Sequence, residues 1–395
     1  MARIFPFQPF RYTARAGPLE HLVTQPYDKI TPAMRARYLE LSPYNLVRAI
    51  LGDHAAAARH LQDWIAAGIL ARDAEVGIFP YFQEFTVPDT GERLVRKGFI
   101  ALGALEDYSA GVVYRHEQTL SGPKQDRLEL LRHTHAHCGQ LFMLYADPPG
   151  AIDALLDEAA GAAPLAEVGD EYGAVHRLWK IAGASRIPDL MGGKKLLIAD
   201  GHHRYETALA FRDENPGLPG ADRVMMTFVN MHSPGLQILA THRLVSGLDA
   251  PDHFLSAARD DFLIEEIDSP DSLRRAWKDA ADRTIIGAAL GSRLFLLEDR
   301  HARGGLDVRV LHQRILGKAL GIGEEAVRDE KHLRYMRGLE AAVEEARRGA
   351  AQIAFLLKPT SIRQVADTSF GGGVMPQKST DFYPKLLSGL TIYKL

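Results

Sequence analysis

Four apolar residues, Leu196-Leu197-Ile198-Ala199, lead directly into Asp200-Gly201-His202-His203-Arg204, after which Tyr205, Ala208 and Leu209 recur at helical spacing. The apolar run reads as a buried strand, and the i, i+3, i+4 pattern gives the following helix one packed face. The chain must therefore pass from strand to helix within a few polar residues. Asp200 is placed to cap the helix by accepting from backbone N–H groups, and Gly201 permits a tight turn and close ligand approach. Free amides at a helix start carry partial positive charge, so with Arg204 and two imidazoles in the first turn they form an anion site. Arginine can bind two phosphate oxygens at once, which a lysine does less well. One alternative is a structural turn with surface histidines, since His-His pairs arise readily in a chain with 16 histidines. A metal site with Asp200 as ligand is another; consecutive side chains diverge, so His202 and His203 could not both join a tight site without ligands from elsewhere.

Elsewhere, helical and strand signals alternate without repeats or low-complexity tracts, which predicts a mixed α/β (α+β) fold. Three regions are expected: an N-terminal α/β region over 1–110, a central region over 111–247 that carries the anion site, and a C-terminal α/β region over 248–395. In the first, residues 55–69 place Leu61, Trp64 and Ile65 at helical spacing, and residues 78–105 read as a hairpin turning at Pro88-Asp89-Thr90-Gly91. In the third, strands are expected over 262–267, 284–290, 293–297 and 352–357, with one charged, mostly solvated helix over 324–348.

Lys+Arg of 47 against Asp+Glu of 50 leaves a net charge of −3, which supplies no broad field for a nucleic-acid backbone or an anionic membrane. Neither partner is expected, and no helix-turn-helix is visible. Any phosphate must be held locally. A single cysteine, Cys138, excludes intramolecular disulfides and multi-cysteine zinc sites. With no apolar leader or membrane-length run, a cytoplasmic location is expected.

Three other clusters carry possible chemistry. His116-Glu117 lacks the second histidine of a zinc-protease helix, but Glu117 or His116 could take a proton from a substrate hydroxyl, and Lys124 and Arg127 could neutralise phosphate charge. A loop stitched by salt bridges is the alternative. Lys378-Ser379-Thr380 follows Gly371-Gly372-Gly373, yet Gln377 stands where a P-loop requires glycine and Pro376 removes an amide donor. The glycines could still close a segment over a ligand and deliver Lys378, Ser379 or Thr380 to phosphate oxygens. His133, His135 and His137 alternate at the end of a helical run and read as unligated. Thr241-His242-Arg243, at a strand end, could face the same cleft as Arg204 or be a surface pair.

The string Ile198-Ala199-Asp200-Gly201-His202-His203-Arg204-Tyr205-Glu206-Thr207-Ala208 resembles the signature of the family named for domain of unknown function 1015. The same family is matched by Arg115-His116-Glu117-Gln118-Thr119 with Gly122-Pro123-Lys124-Gln125-Asp126-Arg127, by Thr241-His242-Arg243-Leu244-Val245, and by Met375-Pro376-Gln377-Lys378-Ser379-Thr380-Asp381-Phe382-Tyr383-Pro384-Lys385 with Ser388-Gly389-Leu390. More distantly, Gly201, Arg204 and Ala208 resemble the phosphate-binding box of the ParB and sulfiredoxin superfamily, and the Asp-Gly-His-His-Arg form looks like that of its free serine kinases. His202 stands where sulfiredoxin has its cysteine, so sulfur chemistry is disfavoured. The resemblance implies a ParB/sulfiredoxin-like nucleotide-binding core and a kinase-like enzyme that moves phosphate between ATP or ADP, with Mg2+, and a small hydroxylated metabolite such as serine. Asp200, Gly201, His203 and Arg204, joined by Lys124, Arg127, Lys378, Ser379 and Thr380, would hold the nucleotide. His116, Glu117 and His202 would serve catalysis. A metal-dependent phosphatase and a nucleotide-switched binding protein are the alternatives. Oligomeric state is left open.

Overall fold

The computed structural model describes all residues except 118–120, 184, 281 and 304, and the side chains of 121–123, 302 and 303 also lie outside the description. Gln118 and Thr119 of the expected loop are therefore not placed. The chain divides into two compact units: Met1–Val87, Gly91–Gln237 and Pro384–Leu395 form the first, and Pro88–Thr90 with Ile238–Tyr383 the second.

Among the described residues, the first unit carries ten strands in one mixed sheet. They are β1 (Ile4–Phe5), β2 (Gly77–Thr86), β3 (Arg93–Ala104), β4 (Val113–Tyr114), β5 (Leu141–Tyr145), β6 (Ala166–Gly169), β7 (Val175–Leu178), β8 (Ile181–Ala182), β9 (Leu196–Asp200) and β10 (Arg223–Asn230). Their spatial order is β4-β9-β5-β10-β3-β2-β7-β6, with β1 beside β3 and β8 beside β2. The expected hairpin is β2 with β3, paired in register from Phe79↔Ile100 to Thr86↔Arg93. Phe99, Ile100 and Ala101 are all fully buried, as a continuous apolar run demands when both faces of a strand are covered. Strands from the expected first and second regions thus share one sheet, because β3 pairs with β2 on one side and β10 on the other.

Three helices of this unit matter for the site. Helix α1 (His54–Ala66) is capped by Asp53, which accepts from the Ala56 amide at 2.7 Å, and buries Ala57, Leu61 and Trp64. Helix α2 (Ser121–Thr134) meets α3 (His202–Glu214) through Leu128, Leu131 and Phe211. Glycine at 201 starts α3 immediately after β9 ends at Asp200.

The second unit holds a six-stranded sheet: β11 (His242–Val245), β12 (Phe262–Ile267), β13 (Arg283–Leu290), β14 (Arg293–Arg303), β15 (Leu333–Met336) and β16 (Ile353–Leu356), in the order β12-β14-β13-β16-β11-β15. Successive residues serve opposite faces, as the two-residue period requires. Val245, Ile286 and Phe355 join one apolar cluster, while Leu244, Ile285 and Leu356 join another together with Leu273 of α4 (Pro270–Asp279) and Leu339 of α5 (Leu339–Arg347).

The single helix expected over 324–348 is not formed. Helix gives way after Arg328, Glu330 adopts a positive φ, and Leu333–Met336 becomes a strand paired with β11 before α5 begins. The charge pattern suited a solvated helix, but an open sheet edge competes for the same backbone and wins. No helix among the described residues is long and apolar enough to cross a membrane.

Candidate functional site

At the junction of β9 and α3, Gly201 has φ +98, and a Cβ there would lie 2.8 Å from Leu141 Cδ2 and 3.0 Å from Arg204 Nη2. Only glycine fits without strain, which fixes the turn and brings the Arg204 guanidinium back over it. Arg204 Nη1 donates to the Gln140 carbonyl at 2.6 Å, and Nη2 lies 3.7 Å from Asp200 Oδ1. The expected Asp200 cap is not made: Gly201 is the N-cap and no side chain caps the helix. Positive φ at Gly201 and the cations on Asp200 draw the carboxylate elsewhere. Lys385 Nζ donates to Asp200 Oδ2 at 3.3 Å. Burial would raise the Asp200 carboxyl, but Lys385, Arg204 and Lys29 outweigh it and hold the group well below the usual carboxylate range.

The segment after β4 brings His116 and Glu117 to this turn. His116 is buried; its Nδ1–H donates to the Ile198 carbonyl at 2.8 Å, and its backbone N–H donates to His202 Nε2 at 3.4 Å. The two rings meet edge to face, with centroids 4.7 Å apart. Burial depresses both imidazoles below the ordinary histidine value, and for His202 the neighbouring His116 adds to the effect. His202 is thereby bonded to the backbone of the segment that carries Glu117. Half-buried Glu117 is close enough to raise His116 and His203 against the dominant effect of their burial.

Beside Arg204 opens a small cleft. Its wall is apolar at Ile50, Leu130, Leu131 and Val224 and cationic at Arg127 and Arg204, and it includes Tyr27. Arg127 stacks over the Tyr27 ring at 4.3 Å and donates to the Ile50 carbonyl at 2.8 Å. Burial raises the Tyr27 hydroxyl pKa, and Arg204 and Arg127 pull against it. The lining sets apolar surface beside two cations, a combination that suits the apolar part and the anionic end of one ligand.

Not every expected residue is equally disposed. Lys124 gives its ammonium to Glu206 of α3 at 2.7 Å. Lys378, Ser379 and Thr380 belong to the second unit. There Lys378 has a positive φ and its carbonyl accepts from Arg243 Nη2 at 2.9 Å, while the Ser379 hydroxyl donates to the Pro376 carbonyl. The strand Asp381–Tyr383 follows where a P-loop would feed a helix. His242 and Arg243 lie in β11, both buried. In the His133 cluster, His133 Nδ1–H donates to the Glu129 carbonyl at 2.8 Å, His135 takes a positive φ, and His137 stacks on Tyr393. No group of three or more metal-ligating side chains occurs among the described residues. Asp200, expected also as a metal ligand, is engaged by Lys385 and Arg204.

Sequence reasoning missed Tyr27, Lys29 and, as a site residue, Lys385. The first two follow Pro26 in the turn Tyr27–Lys29, and their only sequence signal is a polar-aromatic turn after Pro26.

A protein-family model described as a protein of unknown function (DUF1015) matches residues 4–314. The chain belongs to the DUF1015 family. This DUF1015 chain also resembles solved structures at low identity. Free serine kinase in complex with AMP is 17% identical, with 70% of this chain and 88% of that chain covered and a TM-score of 0.39. A conserved hypothetical protein from Pyrococcus furiosus is 16% identical, with coverages of 70% and 92% and a TM-score of 0.37. SbnI with a C-terminal truncation, from Staphylococcus aureus, is 9% identical, with coverages of 74% and 87% and a TM-score of 0.38. No curated protein matches the sequence.

Proposed function

We propose that this DUF1015 chain is a phosphotransferase that binds a nucleoside di- or triphosphate at the turn 200–204 and transfers phosphate to or from a small hydroxylated metabolite. The observation that carries this reading is Arg204, which stands both at the start of α3 and on the wall of the apolar cleft. The helix start and the guanidinium are suited to phosphates, and the adjoining apolar wall to a nucleobase. The likeness of Gly201, Arg204 and Ala208 to the phosphate-binding box of the ParB and sulfiredoxin superfamily, and of the Asp-Gly-His-His-Arg form to its free serine kinases, supports the same reading. Glu117 is the proton acceptor towards the substrate hydroxyl, with His116 and His202 as positioning residues that hold it over the turn. His203, in the first turn of α3, joins Arg204 on the phosphates. Magnesium would arrive on the nucleotide's own phosphates, supplying charge neutralisation without a protein cage.

The test is to incubate the purified chain with ATP or ADP, magnesium and a panel of hydroxylated amino acids, following phosphorylated product by mass spectrometry. Product is expected with at least one acceptor. Glu117→Gln should lower turnover roughly a hundredfold, within the range for loss of a general base, while nucleotide affinity stays within about twofold. Phosphate release from phosphoserine without nucleotide, and no transfer with it, would instead establish a phosphatase.

A further inference from the structure

Residues 384–388 cross the first unit without helix and with a single bridge, Thr24↔Ser388. Its Leu386 and Leu387 are buried, and buried polar side chains also reach its backbone. Arg96, fully buried, donates from Nη2 to the Pro384 carbonyl. Gln83 Nε2 donates to the Lys385 carbonyl at 2.8 Å, and Gln140 Nε2 to the Leu387 carbonyl at 3.1 Å. The Leu387 amide donates to the Tyr81 hydroxyl at 3.3 Å, which in turn contacts His176 Nδ1 at 2.6 Å. Each of these side chains is at most 2% exposed. Buried polar groups are costly unless bonded, so this network favours one register of the strap.

What that register delivers is Lys385. Its side chain is only 12% exposed and its ammonium rests on Asp200, the residue before the turn glycine. Lys385 and Arg204 together place two positive charges on one carboxylate, and Lys29 adds a third within electrostatic range. Lys385 and Arg204 thus meet at the residue that immediately precedes the N-cap glycine of α3. Resting on the nucleotide reading above, we propose that Lys385 is a further phosphate-binding residue of this site, delivered by the strap, whose ligand is the phosphate chain of a nucleoside di- or triphosphate.

Lys385→Met and Lys385→Arg are to be titrated by calorimetry with adenosine and ADP alongside the unaltered chain. Lys385→Met should weaken ADP roughly tenfold to a hundredfold, the range for loss of a charge-assisted contact, and adenosine by less than about twofold. Lys385→Arg should recover most of the ADP affinity. As a measure independent of variant folding, amine-reactive labelling of the unaltered chain read by mass spectrometry should show Lys385 protected by ADP and not by adenosine. ADP binding with an unchanged ADP-to-adenosine ratio in Lys385→Met, or labelling of Lys385 indifferent to ADP, would overturn the assignment of Lys385 alone. Absence of any nucleotide binding to the unaltered chain would overturn the reading on which it rests.

Discussion

At Gly201 the positive φ and the 2.8 Å approach to Leu141 act together, so a methyl group would meet both backbone strain and a wall. Gly201→Ala is expected to cost about 1–3 kcal/mol of stability, the range for a residue forced into a sparsely populated conformation, measured by urea denaturation. It should also weaken ADP, because the added carbon crowds Arg204 as well, at 3.0 Å from Nη2. An alanine variant as stable as the parent would mean that the turn has no need of glycine. At this scale the sequence was informative wherever the site is built from consecutive residues: Gly201, His202 and Arg204 announce a strand-to-helix turn, and His116-Glu117 a polar loop. Lys385 was not legible as a partner of Asp200. The two are 185 positions apart, and nothing in local spacing reports a contact made by the returning end of the chain.

Among elements, the hairpin of β2 and β3 does more than build the sheet, because Gln83 and Arg96 stand on facing strands and hold each other and the strap. Arg96 Nε donates to Gln83 Oε1 at 3.0 Å, and its guanidinium lies 4.6 Å from the centre of the Phe142 ring. Burial lowers Arg96 to about 10, opposed by Tyr81 and Asp200, so it remains charged at neutral pH. Arg96→Met leaves the Pro384 carbonyl and Gln83 without their donor, and a loss of about 2–4 kcal/mol is expected in denaturant unfolding. Unchanged stability would show that the strap is held by its other contacts. The hairpin itself was readable because long β-rich runs flank a Pro-Asp-Thr-Gly turn. The stretch 324–348 misled because its charges satisfy a helix equally well, and only the free edge of β11 decides for Leu333–Met336.

For the whole molecule, several imidazoles are buried in a chain whose net charge is only −3. Burial lowers His242 to about 4, with Arg243 adding to the effect, and depresses His116 and His202 as well. Above about pH 6.5, the ordinary histidine value, folded and unfolded chains both hold these groups neutral and their contribution to stability is fully present. As pH falls towards 4, the unfolded chain takes up protons that the folded chain resists, so stability is lost. Urea midpoints should therefore fall between pH 7 and pH 5. Asp307, whose carboxyl burial raises to about 6, works in the opposite direction, so Asp307→Asn should steepen the fall, and a midpoint that does not fall with pH even in that variant would contradict the burial of these rings. The near-neutral surface carries its own expectation: no tight duplex DNA binding in a gel shift at moderate salt. Mixed α/β architecture was legible from alternating patterns. The division into two units, the first closed by Pro384–Leu395, was not, because it depends on long-range pairing.

The most direct test is calorimetric titration of ADP and ATP into the purified chain and its Arg204→Ala variant. Binding to the unaltered chain, weakened at least roughly tenfold in the variant by loss of a charged hydrogen-bond donor, is the expected result. No binding to the unaltered chain, or equal binding to both, would contradict a nucleotide site at the turn of Gly201 and Arg204.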